Sequence, residues 1–175
     1  LVPYILKQGS ANYPDNETIS KTLEELYGGI FDCSVRKKGE SQLIGLSFEF
    51  VSPSYIKEEN YKEKVLDFVF DVVFNPLVID GSFSEEYVER EKQNQIDYIK
   101  GIINDKKEYA SVRCTEEMFK GEAYSLYSGG TVKGISEADG KKLYAQYKKI
   151  VTESPLDVFV SGNIETGEIE ERLKV

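Results

Sequence analysis

Residues 30–51 read IFDCSVRKKGESQLIGLSFEFV, and this stretch decides the fold. Apolar and polar residues alternate on both sides of a Lys-Lys-Gly-Glu sequence, a period of two that is typical of β-strands with one buried face. The pattern predicts a strand over Ile30–Lys37, a turn at Lys38-Gly39-Glu40 and a second strand over Gln42–Val51. One face of this antiparallel hairpin carries apolar side chains from both strands: Phe31, Cys33, Val35, Ile44, Leu46, Phe48 and Phe50.

Helical patterns fill most of the remaining chain, because apolar residues recur there every three or four positions. The predicted helices are Ile19–Tyr27, Asn60–Phe74, Ser84–Ile103, Asp105–Phe119, one that follows Ser136 through Val151, and one that begins near Gly167. A further strand is predicted at Leu156–Ser161. Helices layered on an antiparallel sheet make this an α+β fold. Its predicted core consists of Phe31, Ile44, Phe48, Val69, Val72 and Val158.

Polar residues mark the predicted helix ends. Thr18 or Asn16 is expected to cap the first helix, and the patterns Ser82-x-x-Glu85 and Ser136-x-x-Asp139 are expected to cap two later ones. A hairpin with one late strand leaves the sheet one strand short for so many helices. We therefore expect the fold to lack its first strand, which would precede Leu1.

Composition excludes several classes of function. The net charge of −9 disfavours nucleic acid and anionic membrane surfaces as partners. The chain contains no histidine, so neither a Ser-His-Asp or Cys-His nucleophile nor a His-ligated zinc site can be built from it. Cys33 and Cys114 are expected to be free thiols. No signal peptide or membrane-spanning run is visible, which favours a cytoplasmic location.

Five segments occur in an order that matches one family of peptidases. They are LKQGS with Tyr13-Pro14 (residues 6–14), LYGGI through Ser34-Val35-Arg36 (26–36), FSEEY through Glu91-Lys92 (83–92), MFKGEAY with Gly134-Ile135 (118–135), and VFVSG (158–162). Together they cover most of the chain and resemble the pitrilysin, insulinase and mitochondrial processing peptidase family, whose zinc motif is an inverted His-x-x-Glu-His. The resemblance is to a degenerate bacterial insulinase-like paralogue.

The resemblance implies where a zinc site lies in the active relatives. There, two His and a Glu bind the metal, and another Glu activates water. Counted back from Gly9, the catalytic Glu position holds Pro3 and the second His position holds Tyr4, while the first His position precedes Leu1. The third ligand position holds Tyr98, and Glu91 is retained. Proline is no base and a phenol with a pKa of about 10 is a poor ligand. We therefore expect no catalytic residue, metal or cofactor in this domain.

Two features of the sequence can each be interpreted in two ways. Glu91 is either a retained electrostatic residue of a former site or an ordinary acid on the helix surface. With Glu85, Glu86 and Glu89 it could bind a cation, although a solvated face near a helix N-terminus is favoured. The loop at Gly121–Gly134, which carries Tyr124, Tyr127 and Gly129-Gly130, is either a peptide contact or a plain loop.

The resemblance also implies a role. Residues 1–162 are predicted to be a peptidase-like domain, and residues 163–175 the start of a following helix or linker. The expected function is that of an inactive domain that pairs with an active or homologous domain or subunit and encloses peptides. A peptide could add as a strand along Ile30–Lys37, unless neighbouring segments of the chain cover that strand. One alternative is a stand-alone peptide-binding or scaffolding module. Another is part of an active zinc metallopeptidase whose ligands come from outside these residues.

Overall fold

The centre of the molecule is the predicted hairpin. The computed structural model describes residues 1–173. Strand β1 (Ile30–Lys38) pairs antiparallel with β2 (Ser41–Glu49), with Phe31 opposite Phe48 and Val35 opposite Ile44. Gly39 has a φ of 59° at the first central position of the turn, a left-handed conformation that glycine adopts without strain. The predicted antiparallel hairpin is therefore confirmed, and its strands end within two residues of the predicted bounds.

The helices surround this hairpin. In chain order they are α1 (Val2–Leu6), α2 (Asn16–Glu25), α3 (Tyr61–Phe74), α4 (Glu85–Gly101), α5 (Lys106–Met118), α6 (Val132–Ser136), α7 (Gly140–Glu153) and α8 (Thr166–Leu173). A second, short antiparallel pair joins β3 (Val78–Ile79) to β4 (Ser82–Phe83). Single 3₁₀ turns occupy Pro53–Tyr55, Ile102–Asn104 and Ala123–Ser125. The predicted α+β class is confirmed.

The core has two parts that meet at Leu46 of β2. In the first part, α3 lies on the apolar face of the hairpin. The buried residues of this part are Ile19, Leu26, Phe31, Tyr61, Phe68 and Val72. In the second, α1 packs against β4, α4 and α7, and its members are Val2, Ile5, Leu6, Phe83, Val88 and Tyr147. Leu46 packs against both clusters, so the hairpin links the two helical layers. This arrangement positions α1 and α4 beside β1.

Several predicted caps are wrong in detail. Asp15, rather than Thr18 or Asn16, caps α2 by accepting a hydrogen bond from the Thr18 N–H at 2.7 Å. Helix α7 is capped by Asp139 alone, because Ser136 ends the separate short helix α6.

The pattern Ser82-x-x-Glu85 does not form a capping box. Asp80 and Gly81 both have positive φ and turn the chain between β3 and β4, so Ser82 pairs with Ile79 across that turn. The N-cap of α4 is instead Ser84, whose side chain caps no N–H.

The predicted strand Leu156–Ser161 is also wrong. The segment forms neither strand nor helix, and its apolar residues are exposed, Phe159 at 93%. A strand needs a neighbour for its backbone groups, and no strand within residues 1–173 pairs with this segment. Two residues of the predicted core, Val158 and Ile44, are therefore exposed. The others belong to the core: Phe31 and Val72 are buried, and Phe48 and Val69 are half-buried.

Helix α8 packs against α3. Lys62 and Glu168 form an ion pair at 2.6 Å, Arg172 pairs with Asp67, and Ile169 is buried. The proposed boundary between residues 162 and 163 stays a prediction, and residues 174–175 of its second part lie outside the described residues. None of the helices in the described part of the chain combines the length and apolar character needed to cross a bilayer.

The contact between α7 and β4 leaves no room for a side chain at Gly140. A Cβ there would lie 2.6 Å from the Phe83 carbonyl oxygen and 2.3 Å from the Ser82 Oγ. We expect Gly140→Ala to lower the free energy of unfolding by about 1–3 kcal/mol, as overpacking does. The control is Gly101→Ala in α4, where a Cβ would meet no atom within 4 Å, and we expect a gain of up to about 1 kcal/mol because alanine favours helices. Urea unfolding measures both, and equal stability of the two variants would contradict the packing described.

Candidate functional site

A cavity of about 430 Å³ lies between α1, β1, α4 and the loop that precedes α6. Its walls are formed by Tyr4, Val35, Glu91, Asn94, Gln95, Tyr98, Tyr127, Ser128 and Gly129. A second cavity of about 410 Å³, between Pro53 and Glu165, contains none of the residues singled out from the sequence. The first cavity is therefore the candidate site.

Three of the four positions singled out from the sequence converge on this cavity. Tyr4 of α1 and Glu91 and Tyr98 of α4 all line it, although they come from distant parts of the chain. Pro3 is buried in α1 beside Tyr4 and is not part of the wall. The convergence follows from the packing of α1 against α4 through their apolar residues, which include Val2 and Val88.

Glu91 is buried, with 7% of its surface exposed. Its Oε1 accepts hydrogen bonds from Gln8 Nε2 at 2.8 Å and from Asn94 Nδ2 at 3.2 Å. The interpretation of Glu91 as a surface acid is therefore wrong. The neighbouring acids do form a solvated face, since all three are exposed: Glu85, Glu86 and Glu89.

Tyr4 and Tyr98, which line the cavity at the positions that the resemblance implies for ligands, keep their protons. Burial raises the pKa of the Tyr4 phenol above its ordinary value. The Tyr98 hydroxyl donates a hydrogen bond to Glu108 Oε1 at 2.8 Å, and this bond is the main cause of a strongly raised pKa for Tyr98. At neutral pH neither side chain supplies a phenolate.

The loop at residues 121–131 is held against the hairpin. Lys37 Nζ donates to the Tyr124 carbonyl oxygen at 2.6 Å and also contacts that of Leu126. Gln42 Nε2 donates to the Ser128 carbonyl oxygen at 3.0 Å. These contacts place Tyr127 in the cavity wall, whereas Tyr124 lies outside it.

Comparisons with known proteins agree with this geometry. No family model matches the chain. Probable inactive metalloprotease YmfF of Bacillus subtilis (strain 168) is 28% identical over 171 residues, which are 97% of this chain and 40% of that protein. The crystal structure of a conserved protein from Enterococcus faecalis V583 matches with a TM-score of 0.90 and 30% identity, over 99% of this chain and 41% of that one.

A more distant likeness bears on the fold alone. The crystal structure of a peptidase M16 inactive domain from Pseudomonas fluorescens matches with a TM-score of 0.63 and 18% identity, over 82% of this chain and 31% of that one. The resemblance to a degenerate insulinase-like paralogue is confirmed. The chain spans about two fifths of the length of the Bacillus and Enterococcus relatives.

The residues that line the cavity and its neighbour Pro3 do not fit a zinc ion. The position that the family resemblance implies for the general base holds Pro3, and two positions that it implies for ligands hold the protonated phenols of Tyr4 and Tyr98. Residues 1–173 contain no group of three or more His, Cys, Asp or Glu side chains arranged to hold a metal. Among the residues that line the cavity, Glu91 is the one that carries a carboxylate.

Sequence reasoning missed the neutral residues of the site. Val35, Asn94 and Gln95 line the cavity without a chemical signature of their own. The burial of Glu91 had a signal, because it follows the apolar Val88 by three positions and so lies on the same helix face. Gln8, which holds Glu91, is 83 residues away in sequence and only the fold brings the two together.

Proposed function

We propose that this chain is a catalytically inactive domain that pairs with an active or homologous peptidase-family domain and holds extended peptides along β1. The observation that carries the proposal is the free edge of β1. Within residues 1–173, the backbone of β1 forms its backbone hydrogen bonds with β2 alone. An edge strand of this kind accepts an added strand whatever its sequence.

The turn geometry indicates which groups face the free edge. Lys38 and Ser41 flank the turn, so they form a hydrogen-bonded pair. Hydrogen-bonded and non-hydrogen-bonded pairs alternate along an antiparallel ladder. The residues of β1 whose N–H and C=O groups point away from β2 are therefore Phe31, Cys33, Val35 and Lys37. The Cys33 N–H also faces the Asp32 carboxylate, which leaves the other three as free donors.

The surroundings of the edge support a peptide site. Val35 belongs both to the edge and to the wall of the cavity, so a peptide paired with β1 would direct alternate side chains toward that cavity. Neighbouring segments touch β1 through side chains, as in the ion pair between Lys7 and Asp32 at 3.0 Å. These contacts leave the outward backbone groups without backbone partners.

Pairing with another domain has its own support. The exposed segment Leu156–Val160 presents apolar side chains at its surface, with Leu156 at 62% and Val160 at 51% exposure. Apolar patches of this kind mark surfaces that a partner covers. The relatives are more than twice as long as this chain, which leaves room in such proteins for a homologous domain.

Residue-resolved amide exchange with unstructured peptides at millimolar concentration tests the proposal. We expect added protection at Phe31, Val35 and Lys37, and little change at the residues between them, which β2 already protects. Val35→Pro removes one outward donor without breaking the β1–β2 ladder, so it is expected to abolish the added protection.

The matched control is Ile44→Pro in β2. Ile44 lies opposite Val35 and its N–H points to the other edge, so this variant should keep the peptide-dependent protection. No added protection in β1 of the unsubstituted chain, together with a strictly monomeric state, would rule out the proposal.

A further inference from the structure

We propose that the cavity beside β1 binds the cationic side chain of a lysine or arginine residue, with Glu91 as its counter-ion. This inference rests on the proposed peptide binding and names the chemical class of peptide. Glu91 lines the cavity, and only 7% of its surface is exposed. Buried carboxylates are ordinarily paired with a cation or a metal.

No cation within the described residues is ion-paired with Glu91. The basic residues nearest to it in sequence are directed elsewhere, since Lys92 Nζ pairs with Glu89 at 2.7 Å and the Arg90 guanidinium donates to Gln8 Oε1. The partners of Glu91 are the amides of Gln8 and Asn94, which donate hydrogen bonds but carry no charge. The amino group of Leu1 is near enough to interact electrostatically with Glu91 but forms no ion pair with it, so the carboxylate has no direct partner of opposite sign.

One carboxylate oxygen is also free. Both amides bind Oε1, and no hydrogen bond from residues 1–173 reaches Oε2. Oε2 is open to solvent, since the fully buried side-chain acceptor without a partner in these residues is Glu168 Oε2, and a donor that enters the cavity can therefore reach it. Lysine and arginine side chains supply a donor and a positive charge together.

The rest of the wall suits a long cationic side chain. Tyr4, Tyr98 and Tyr127 border the cavity, and aromatic rings of this kind attract a cation that meets their faces. Val35 provides an apolar surface for the methylene stem. A volume of about 430 Å³ lies within the range of small-ligand pockets, roughly 300–1,000 Å³. The chain's net charge of −9 adds a long-range attraction for basic peptides.

The test compares otherwise identical unstructured peptides that carry lysine, arginine or norleucine at one position. Norleucine keeps the stem and removes the charge. We expect the lysine or the arginine peptide to bind the 175-residue chain at least about tenfold more tightly than the norleucine peptide, which corresponds to one charge-assisted hydrogen bond. The stronger of the two identifies the preferred group as an ammonium or a guanidinium. The preference should persist at high salt, because a buried pair is poorly screened.

Two variants locate the effect. Glu91→Gln keeps the size and the amide contacts but removes the charge, so it should abolish the preference for a basic residue. Glu89→Gln removes an exposed acid from the same helix and should leave the preference unchanged. Thermal unfolding checks that both variants are folded. The comparison of lysine, arginine and norleucine peptides uses the unsubstituted chain, so it does not depend on the folding of either variant.

Each outcome decides the inference. Equal affinity for the basic and norleucine peptides overturns it and leaves the proposed function intact. Retention of the preference in folded Glu91→Gln also overturns it, since the charge then acts elsewhere. Failure of every peptide to bind overturns the inference together with the peptide-holding part of the proposed function.

Discussion

Replacement of Phe68 by alanine is expected to lower the free energy of unfolding by about 3–5 kcal/mol, the usual cost of truncating a fully buried aromatic residue. Phe68 is 0% exposed in the middle of α3. Its ring lies edge-on to those of Tyr13, Phe48 and Phe50, at centroid distances of 5.1, 6.3 and 6.2 Å. The substitution removes one of the contacts that join α3 to the hairpin and to the N-terminal segment. Because domains are stable by only about 5–15 kcal/mol, much of the native stability is at stake.

Phe74→Ala is the matched control for this prediction. Phe74 lies on the same helix, is 40% exposed and has one aromatic neighbour, Phe70, at 5.8 Å. We expect a loss of about 1 kcal/mol or less, since little area returns to water. Chemical denaturation of both variants and of the unsubstituted chain gives the two differences. Equal losses would contradict the packing of α3 on the hairpin.

The sheet and the helix that covers it could be predicted because their signals are local. Alternation in residues 30–51 and a glycine at the turn determine the register of β1 and β2. The apolar stripe and Asn75-Pro76 give the bounds of α3 to within one residue. Each of these signals is read within a few neighbouring residues, and the same residues form the contacts.

Leu156–Ser161 shows why the remaining elements could not be predicted. Its alternation indicates that the segment can be a strand, but a strand forms only where a neighbour offers backbone groups to pair with. The capping box predicted at Ser82 is absent for a related reason. The turn at Asp80-Gly81 competes with a capping box for the same serine, and the turn wins because Ile79 is available as its partner.

The candidate site was partly accessible from the sequence. Resemblance to a family gave Tyr4, Glu91 and Tyr98, and the fold places all three in one cavity. The state of Glu91 was harder to predict, because a run of acids at the start of a helix is typical of a solvated face. Its burial depends on α1 and on Gln8, which are remote in sequence.

Zinc is expected to be absent from the purified chain, well below one ion per molecule by elemental analysis. Pro3 cannot act as a base, and protonated Tyr4 and Tyr98 cannot replace a histidine and a glutamate as ligands. Glu91 supplies a single carboxylate, whereas catalytic zinc sites use three protein ligands. About one zinc per chain would contradict the ligand positions inferred from the resemblance.

We propose that this chain keeps a peptidase fold without the chemistry of a peptidase. Incubation of the chain with an unstructured lysine-containing peptide in the presence of zinc, with the products read by mass spectrometry, tests it most directly. A parallel sample with a chelator is the control. We expect the peptide to be recovered intact from both samples. Fragments that form with zinc and disappear with the chelator would contradict it.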